Sequence, residues 1–223
     1  DYSKLKVLDT FASTSCGAGQ AGHGEVHVVR RVAGYKKIRY YTHENIGYGP
    51  VNLPDQELHT TAVWWQLSQA TLDAGFGDRQ QALDGFAGAA SALHLVASVA
   101  VMADSRDLQK SVGSGDGAWF ISADQQGHGR MRGGDGQLAT AGADTQFTPT
   151  VYLYDAFPGG VGLSAPLFER RDELLAHALS LVLDCDCHGG CPACVGPVLA
   201  MDESASHTPK MLALRVLTML AGR

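Results

Sequence analysis

Three features of the 223-residue chain predict an α+β fold, with a mixed or antiparallel sheet, packed helices and a four-cysteine loop near the C-terminus. Strand-like alternation marks "EVHVVRRVAGYKKIRYYT" (Glu25 to Thr42) and "PTVYLYDA" (Pro149 to Ala156). Apolar residues recur at helix period between Arg79 and Ala103 and again in two later segments. Four of the five cysteines fall inside "CDCHGGCPAC", Cys185 to Cys194.

The elements follow in chain order. Residues 1–24 form an N-terminal segment to which the pattern assigns no element. Glu25 to Thr42 reads as a β-hairpin turning at Ala33-Gly34, with Val, Ile and Tyr alternating with polar residues. "NIGYGPVNLPDQEL" is a connection punctuated by Gly and Pro. "TTAVWWQL" continues it with Trp64 and Trp65 half-buried. From Arg79 to Ala103, Leu83, Phe86, Ala87, Ala90, Leu93, Ala97 and Val101 lie three and four apart, the period of a helix. "FAGAASALHLVASVAVMA" is broken by Ser91, His94 and Ser98, and its alanines suit a buried helix better than a membrane span. "AWFIS" (Ala118 to Ser122) is a short strand. Residues 124–146 are rich in Gly, Asp and Gln and have little to bury, which reads as a flexible surface loop. Pro149 to Ala156 is a buried strand, and "FPGG" turns it into a helix from Ser164 to Leu183. Thr208-Pro209 starts a last helix, with Thr as cap and Pro in the first turn.

Composition narrows the function classes. At 45% hydrophobic and 18% charged, the chain is an ordinary globular sequence, large enough for a core. Its net charge of −6 gives no general attraction for nucleic acid, so a role there needs a local basic patch. The chain opens Asp1-Tyr2-Ser3 without a charged-then-apolar leader. This reads as part of a longer protein in the cytoplasm, the bacterial cytosol or nucleoid, with no membrane partner. Cysteines in that compartment are reduced thiols or metal ligands rather than a disulfide framework.

The cysteine spacing is C-x-C-x3-C-x2-C: Cys185, Cys187, Cys191 and Cys194. Four soft ligands in one tight loop suit a tetrahedral zinc ion, with Gly189 and Gly190 allowing the chain to reverse. Iron–sulfur ligation, paired disulfides and C-x-x-C redox chemistry are the other readings, and iron–sulfur runs are spaced differently. His188 could replace a cysteine only awkwardly, so close to Cys187. Cys16 reads as a spare thiol. A single zinc closed by four cysteines leaves no open coordination position, so the loop at 184–197 is structural.

Catalytic motifs fail. None of the six lysines follows a phosphate-cradling G-x-x-x-x-G-K-[ST] loop. "YDAFPGGVG" could hold a phosphate on its backbone N–H groups, but without a lysine a tight turn is the better reading. The one local reversal of charge is "RRVAGYKKIR", with Arg30, Arg31, Lys36, Lys37 and Arg39 beside Tyr35, Tyr40 and Tyr41. It is either a surface that meets phosphates and bases or an edge hairpin kept from pairing by its charges.

Taken together, "GYKKIRYYTHENIGYGPVNLP", "LHLVASVAVMADSRDL", "VYLYDAFPGGVGLS" and "CDCHGGCPACVGPVLAMDESASHTPK" resemble the C-terminal zinc-binding domain of MrfA-type DEAD/DEAH-box superfamily-two helicases. The resemblance runs from about Val26 to Leu217. It implies one structural Zn2+ on Cys185, Cys187, Cys191 and Cys194. It also implies a single accessory domain, residues 1–223, of an ATP-dependent DNA helicase associated with repair. ATP and Mg2+ would then belong to motor lobes elsewhere in the parent chain. Those lobes and single-stranded or forked DNA are the implied partners, and the DNA-facing reading of the basic segment gains weight. The alternative is a protein-interaction subunit that docks onto a separate helicase in a repair or defence complex. A third class, an enzyme, would need a convergent acid, base and nucleophile.

Overall fold

The computed structural model describes residues 2–32, 34–41, 44–77, 79–114, 116–121, 148–197 and 207–223. The predicted loop at 124–146 lies outside them. The strands are β1 (Tyr2–Cys16), β2 (Gly19–Arg31), β3 (Gly34–Ile38), β4 (Asn45–Pro50), β5 (Gln56–Leu67), β6 (Leu108–Ser114), β7 (Asp116–Ile121) and β8 (Pro149–Asp155). The helices are α1 (Gln69–Gly75), α2 (Arg79–Ala100), α3 (Ser164–Glu169), α4 (Arg171–Leu183) and α5 (Pro209–Ala221). The α+β expectation holds, with every strand pair antiparallel.

Six strands form the main sheet in the order β6-β8-β5-β2-β1-β7, and β3 pairs with β4 in a separate two-stranded sheet. The large sheet is strongly curled. In a flat sheet, β6 and β1 would lie four strand spacings apart, roughly 19 Å. Instead Ser3 Oγ of β1 meets Ser111 Oγ of β6 at 2.7 Å. The curl gives the sheet two cores. Its concave side encloses Leu5, Val26, Val28, Ala62, Trp64, Tyr152 and Tyr154. Its convex side carries Val63, Trp65, Val151 and Leu153 beneath α2, α3 and α5, with α4 packed on the helices. Trp64 and Trp65 are therefore both buried, one on each face, where the sequence placed them half in water. A strand inside a sheet covered on both sides buries successive residues, and β8 is buried along its whole length for the same reason.

The predicted hairpin across Ala33-Gly34 is not formed. β2 continues in register with β1 as far as Arg31 and with β5 as far as Arg30. With both edges of β2 taken, the next strand cannot fold back onto it. β3 pairs instead with β4, from Gly34 opposite Pro50 to Ile38 opposite Asn45, within the stretch read as a connection. The unassigned N-terminal segment is also a strand, the 15-residue β1. The single helix expected over 164–183 is two, α3 and α4, meeting at Arg170.

α2 has the length and apolarity of a membrane span, yet its buried residues, among them Phe86, Ala90, Leu93 and Ala97, join the convex core. It packs against α4, α5, β6 and β8. Its small residues set the distance to α5: a Cβ at Gly88 would stand 2.7 Å from Ala213 Cβ, and one at Gly85 2.9 Å from the Leu212 carbonyl. Replacing Gly88 by Leu should push the helices apart and cost about 1–3 kcal/mol. The readout is the urea midpoint, and an unshifted midpoint would mean that the α2–α5 contact is loose.

Candidate metal centre

α4 ends at Asp184, whose N–H donates to the Ser180 carbonyl at 2.9 Å, and the cysteine loop begins at the next residue. Its second half is a tight turn. The N–H groups of Cys194 and Val195 both donate to the Cys191 carbonyl, at 3.1 and 3.0 Å. Gly190 makes the reversal before that turn at φ +119°, where a Cβ would also lie 2.7 Å from Val195 Cγ2. No other residue suits that position. The loop is docked rather than pendant. Cys194 and Val195 are buried in the convex core, and the backbone of Gly196 lies close against Ser91 of α2.

All four sulfurs converge, each within 4.8 Å of the others. Sγ–Sγ separations are 3.5 Å for Cys185–Cys187, 3.6 Å for Cys185–Cys191, 3.5 Å for Cys187–Cys194 and 3.7 Å for Cys191–Cys194. A regular tetrahedron of thiolates about 2.3 Å from a central zinc has edges of about 3.8 Å. A disulfide needs about 2.05 Å. A cluster of several irons places its thiolates on different metal atoms, too far apart for all four to stay mutually this close. The donor set therefore suits one zinc ion, coordinatively closed, which would brace the chain and leave no position for a substrate.

As free thiols the four are not equivalent. The Ala193 N–H donates to Cys191 and brings its pKa down to about 7, with the neighbouring thiols adding to the effect. Burial pushes Cys194 up to about 12. At Cys185 the Cys187 N–H pulls downward, but the thiols of Cys187 and Cys191 together with burial outweigh it, and the net shift is upward. Binding a metal must displace whatever protons the four thiols carry, so retention weakens as pH falls. Cys16 stands apart. Its thiol donates to the Leu220 carbonyl at 3.0 Å, and burial raises its pKa to about 11. It ties the end of β1 to the end of α5.

The other candidates are dispersed. Arg30 and Arg31 end β2, Lys36 and Lys37 lie in β3, and Arg39 follows it. Arg31 makes a bidentate pair with Asp55, at 2.7 and 2.6 Å, which raises the arginine's pKa and lowers the aspartate's. Arg39 meets Glu44 at 3.2 Å. Arg31 and Arg39 thus face carboxylates, and the basic surface is smaller than the sequence implied. The small sheet offers aromatic surface instead. Tyr40 and Tyr41, 83% and 88% exposed, pack edge to face at 5.0 Å, and Tyr35 of β3 and Tyr48 of β4 are also exposed. Lys37 Nζ lies 5.8 Å from the centre of the Tyr35 ring.

The glycine loop after β8 is a tight turn. Buried Asp155 accepts through Oδ2 from the N–H groups of Val161, Gly162 and Leu163, at 2.7, 2.9 and 3.2 Å. The donors that could have held a phosphate are already satisfied by the chain's own carboxylate. Sequence reasoning missed Asp155 in this role because nothing in "YDAFPGGVG" says which way the side chain turns.

The purified chain should contain one zinc by elemental analysis. Cys191→Ala should speed hydrogen exchange across 184–197 and the first turn of α5, leaving the large sheet protected. Iron, an empty site after careful preparation, or uniform loss of protection would contradict this reading.

Comparison with known proteins agrees with the cysteine geometry. A family model described as the MrfA Zn-binding domain matches residues 89–195. An uncharacterised ATP-dependent helicase of Bacillus subtilis, YprA, is 31% identical over 193 residues, which is 86% of this chain and 22% of that protein. An uncharacterised protein of Methanocaldococcus jannaschii, MJ1572.1, is 38% identical over 45 residues, 20% of this chain and 40% of that one. A crystal structure of the helicase MrfA bound to DNA superposes with a TM-score of 0.63 at 28% identity, covering 97% of this chain and 24% of that one. The chain thus spans about a quarter or less of the two helicases. Residues 89–195 are thus similar to the MrfA Zn-binding domain, and the matched span ends one residue beyond Cys194, the last of the four converging sulfurs.

Proposed function

We propose that this chain is a zinc-stabilised, non-catalytic accessory domain, residues 1–223, of a cytosolic ATP-dependent DNA helicase that acts in repair. The observation that carries the reading is its likeness, over nearly its whole length, to one part of a helicase solved with DNA bound. ATP and Mg2+ belong to motor lobes of the parent, and the lobes and DNA are the partners. The closed sulfur site and the self-filled glycine loop support a supporting rather than a chemical role.

Contact with DNA falls to the β3–β4 arm, where Lys37 and exposed tyrosines stand together. Its chemistry favours single strands, because bases stack on aromatic rings while the few cations hold phosphates. An exposed apolar stripe, Leu95 and Val99 of α2 with Met102 just beyond its end, supports contact with protein, either the parent's own lobes or a separate helicase. A Walker-type loop in the same reading frame decides between those two.

Weak, salt-dependent DNA binding by this chain is expected. Lys36→Glu with Lys37→Glu should abolish it, and single charge removals should lower the log–log salt slope by about 0.7 per lost phosphate contact on a single strand. Tyr40→Ala with Tyr41→Ala should weaken binding by about 1–3 kcal/mol per unstacked base while leaving that slope unchanged. Filter binding across a salt series measures both, and wild-type behaviour in both variants would return the arm to the role of a charge-protected edge. The chain alone should not bind ATP, and a nucleotide-dependent rise in melting temperature would refute that.

A further inference from the structure

A lysine in the first turn of a helix faces the positive end of the macrodipole, an unfavourable place for a cation. Lys210 sits there, directly after Pro209 at the start of α5. Nothing in α5 itself accounts for it. Its contacts lie in the cysteine loop, more than twenty residues earlier. The Lys210 ammonium donates to the carbonyls of Cys185 and Cys187, the latter at 3.1 Å, and its backbone N–H donates to the Gly189 carbonyl at 3.0 Å.

Charge explains the placement. Four thiolates around a dication carry two net negative charges, and Asp184 and Asp186 flank the first two cysteines. The structure sets the Lys210 ammonium against that excess, where partial burial strengthens the attraction. Geometry divides the loop in the same way. The second pair, Cys191 and Cys194, is closed by its own turn. The first pair has its carbonyls held from outside, by a residue of another element.

We propose that Lys210 is the outer-sphere residue that positions Cys185 and Cys187, sets how tightly zinc is retained, and couples the metal to the docking of α5. It touches no metal and acts only through the ligands. Groups of this kind commonly change metal affinity 10- to 100-fold when removed.

The test uses the zinc-loaded 223-residue chain and follows zinc release to excess chelator with a colorimetric indicator. Lys210→Met keeps the aliphatic stem and removes the charge, and should release zinc at least tenfold faster. Lys210→Arg keeps a cationic donor and should release it within about threefold of wild type. In the zinc-loaded Met variant, hydrogen exchange should quicken in 184–190 and the first turn of α5, and stay unchanged in the large sheet. Met211→Ala, an exposed neighbour in the same turn, should have no effect on release. Release from Lys210→Met at the wild-type rate would overturn the proposal, as would equal acceleration by Met211→Ala. If Lys210→Met does not fold, the Arg variant decides alone: near wild-type retention supports the role of the charge, and rapid loss from a chain that still carries a cationic donor refutes it.

Discussion

Where the backbone of α2 runs bare at Gly85 and Gly88, α5 comes near enough to touch it, and the C-terminal third of the chain is arranged around that contact. The same stretch of α2 receives the cysteine loop, through Gly88 against Val195 and Ser91 against Gly196. One alanine- and glycine-rich helix face therefore seats two elements whose contacting residues follow it by more than a hundred positions. Larger side chains there would lift α5 and the loop away together. That explains why so apolar a helix carries so little bulk: its composition resembles a membrane span, but its small residues serve close packing between helices.

The polar chemistry is likewise turned inward. Asp155 fills the backbone donors of the glycine loop, Thr60 donates from its hydroxyl to the carbonyls of Asp155 and Phe157, and Cys16 donates to the last turn of α5. Each of these groups would look reactive in isolation, and each is occupied in joining one element to another. The four cysteines follow the same logic, since a coordination sphere filled by thiolates has structural and not Lewis-acid character. Among the described residues, exposed apolar and aromatic surface includes the tyrosine-bearing β3–β4 arm and the stripe at the end of α2.

How much of this was legible in the sequence depends on distance along the chain. The four cysteines are local, ten residues from first to last, and their spacing alone raised the tetrahedral site that the sulfur separations support. The start of α5 was equally local: Thr208 caps it by accepting from the Met211 N–H, with Pro209 in the first turn. The sheet was not legible. β1 alternates polar and apolar residues only in part, with register shifts between Val7 and Asp9 and between Thr10 and Ala12 that break any simple period. β2 and β3 are separated by two residues, yet lie in different sheets because β5, 25 residues further on, has taken the edge of β2. Lys210 left no signal at all, since its meaning comes from carbonyls more than twenty residues away.

α5 gives the metal site its reach. At 13 residues it is about 20 Å long. Its first turn is held by the cysteine loop through Lys210. Its last turn is held by the β1–β2 turn, where the Ala18 N–H donates to the Met219 carbonyl at 2.9 Å and Cys16 to Leu220. Between these ends Arg215 donates to the Gly75 carbonyl at the close of α1. α5 therefore links the cysteine loop at one end to the β1–β2 turn at the other. Packing on Gly88 sets the lateral position of α5, and the two end clamps set its position along its own axis. The four-cysteine loop is in this way joined through one helix to the opposite end of the fold.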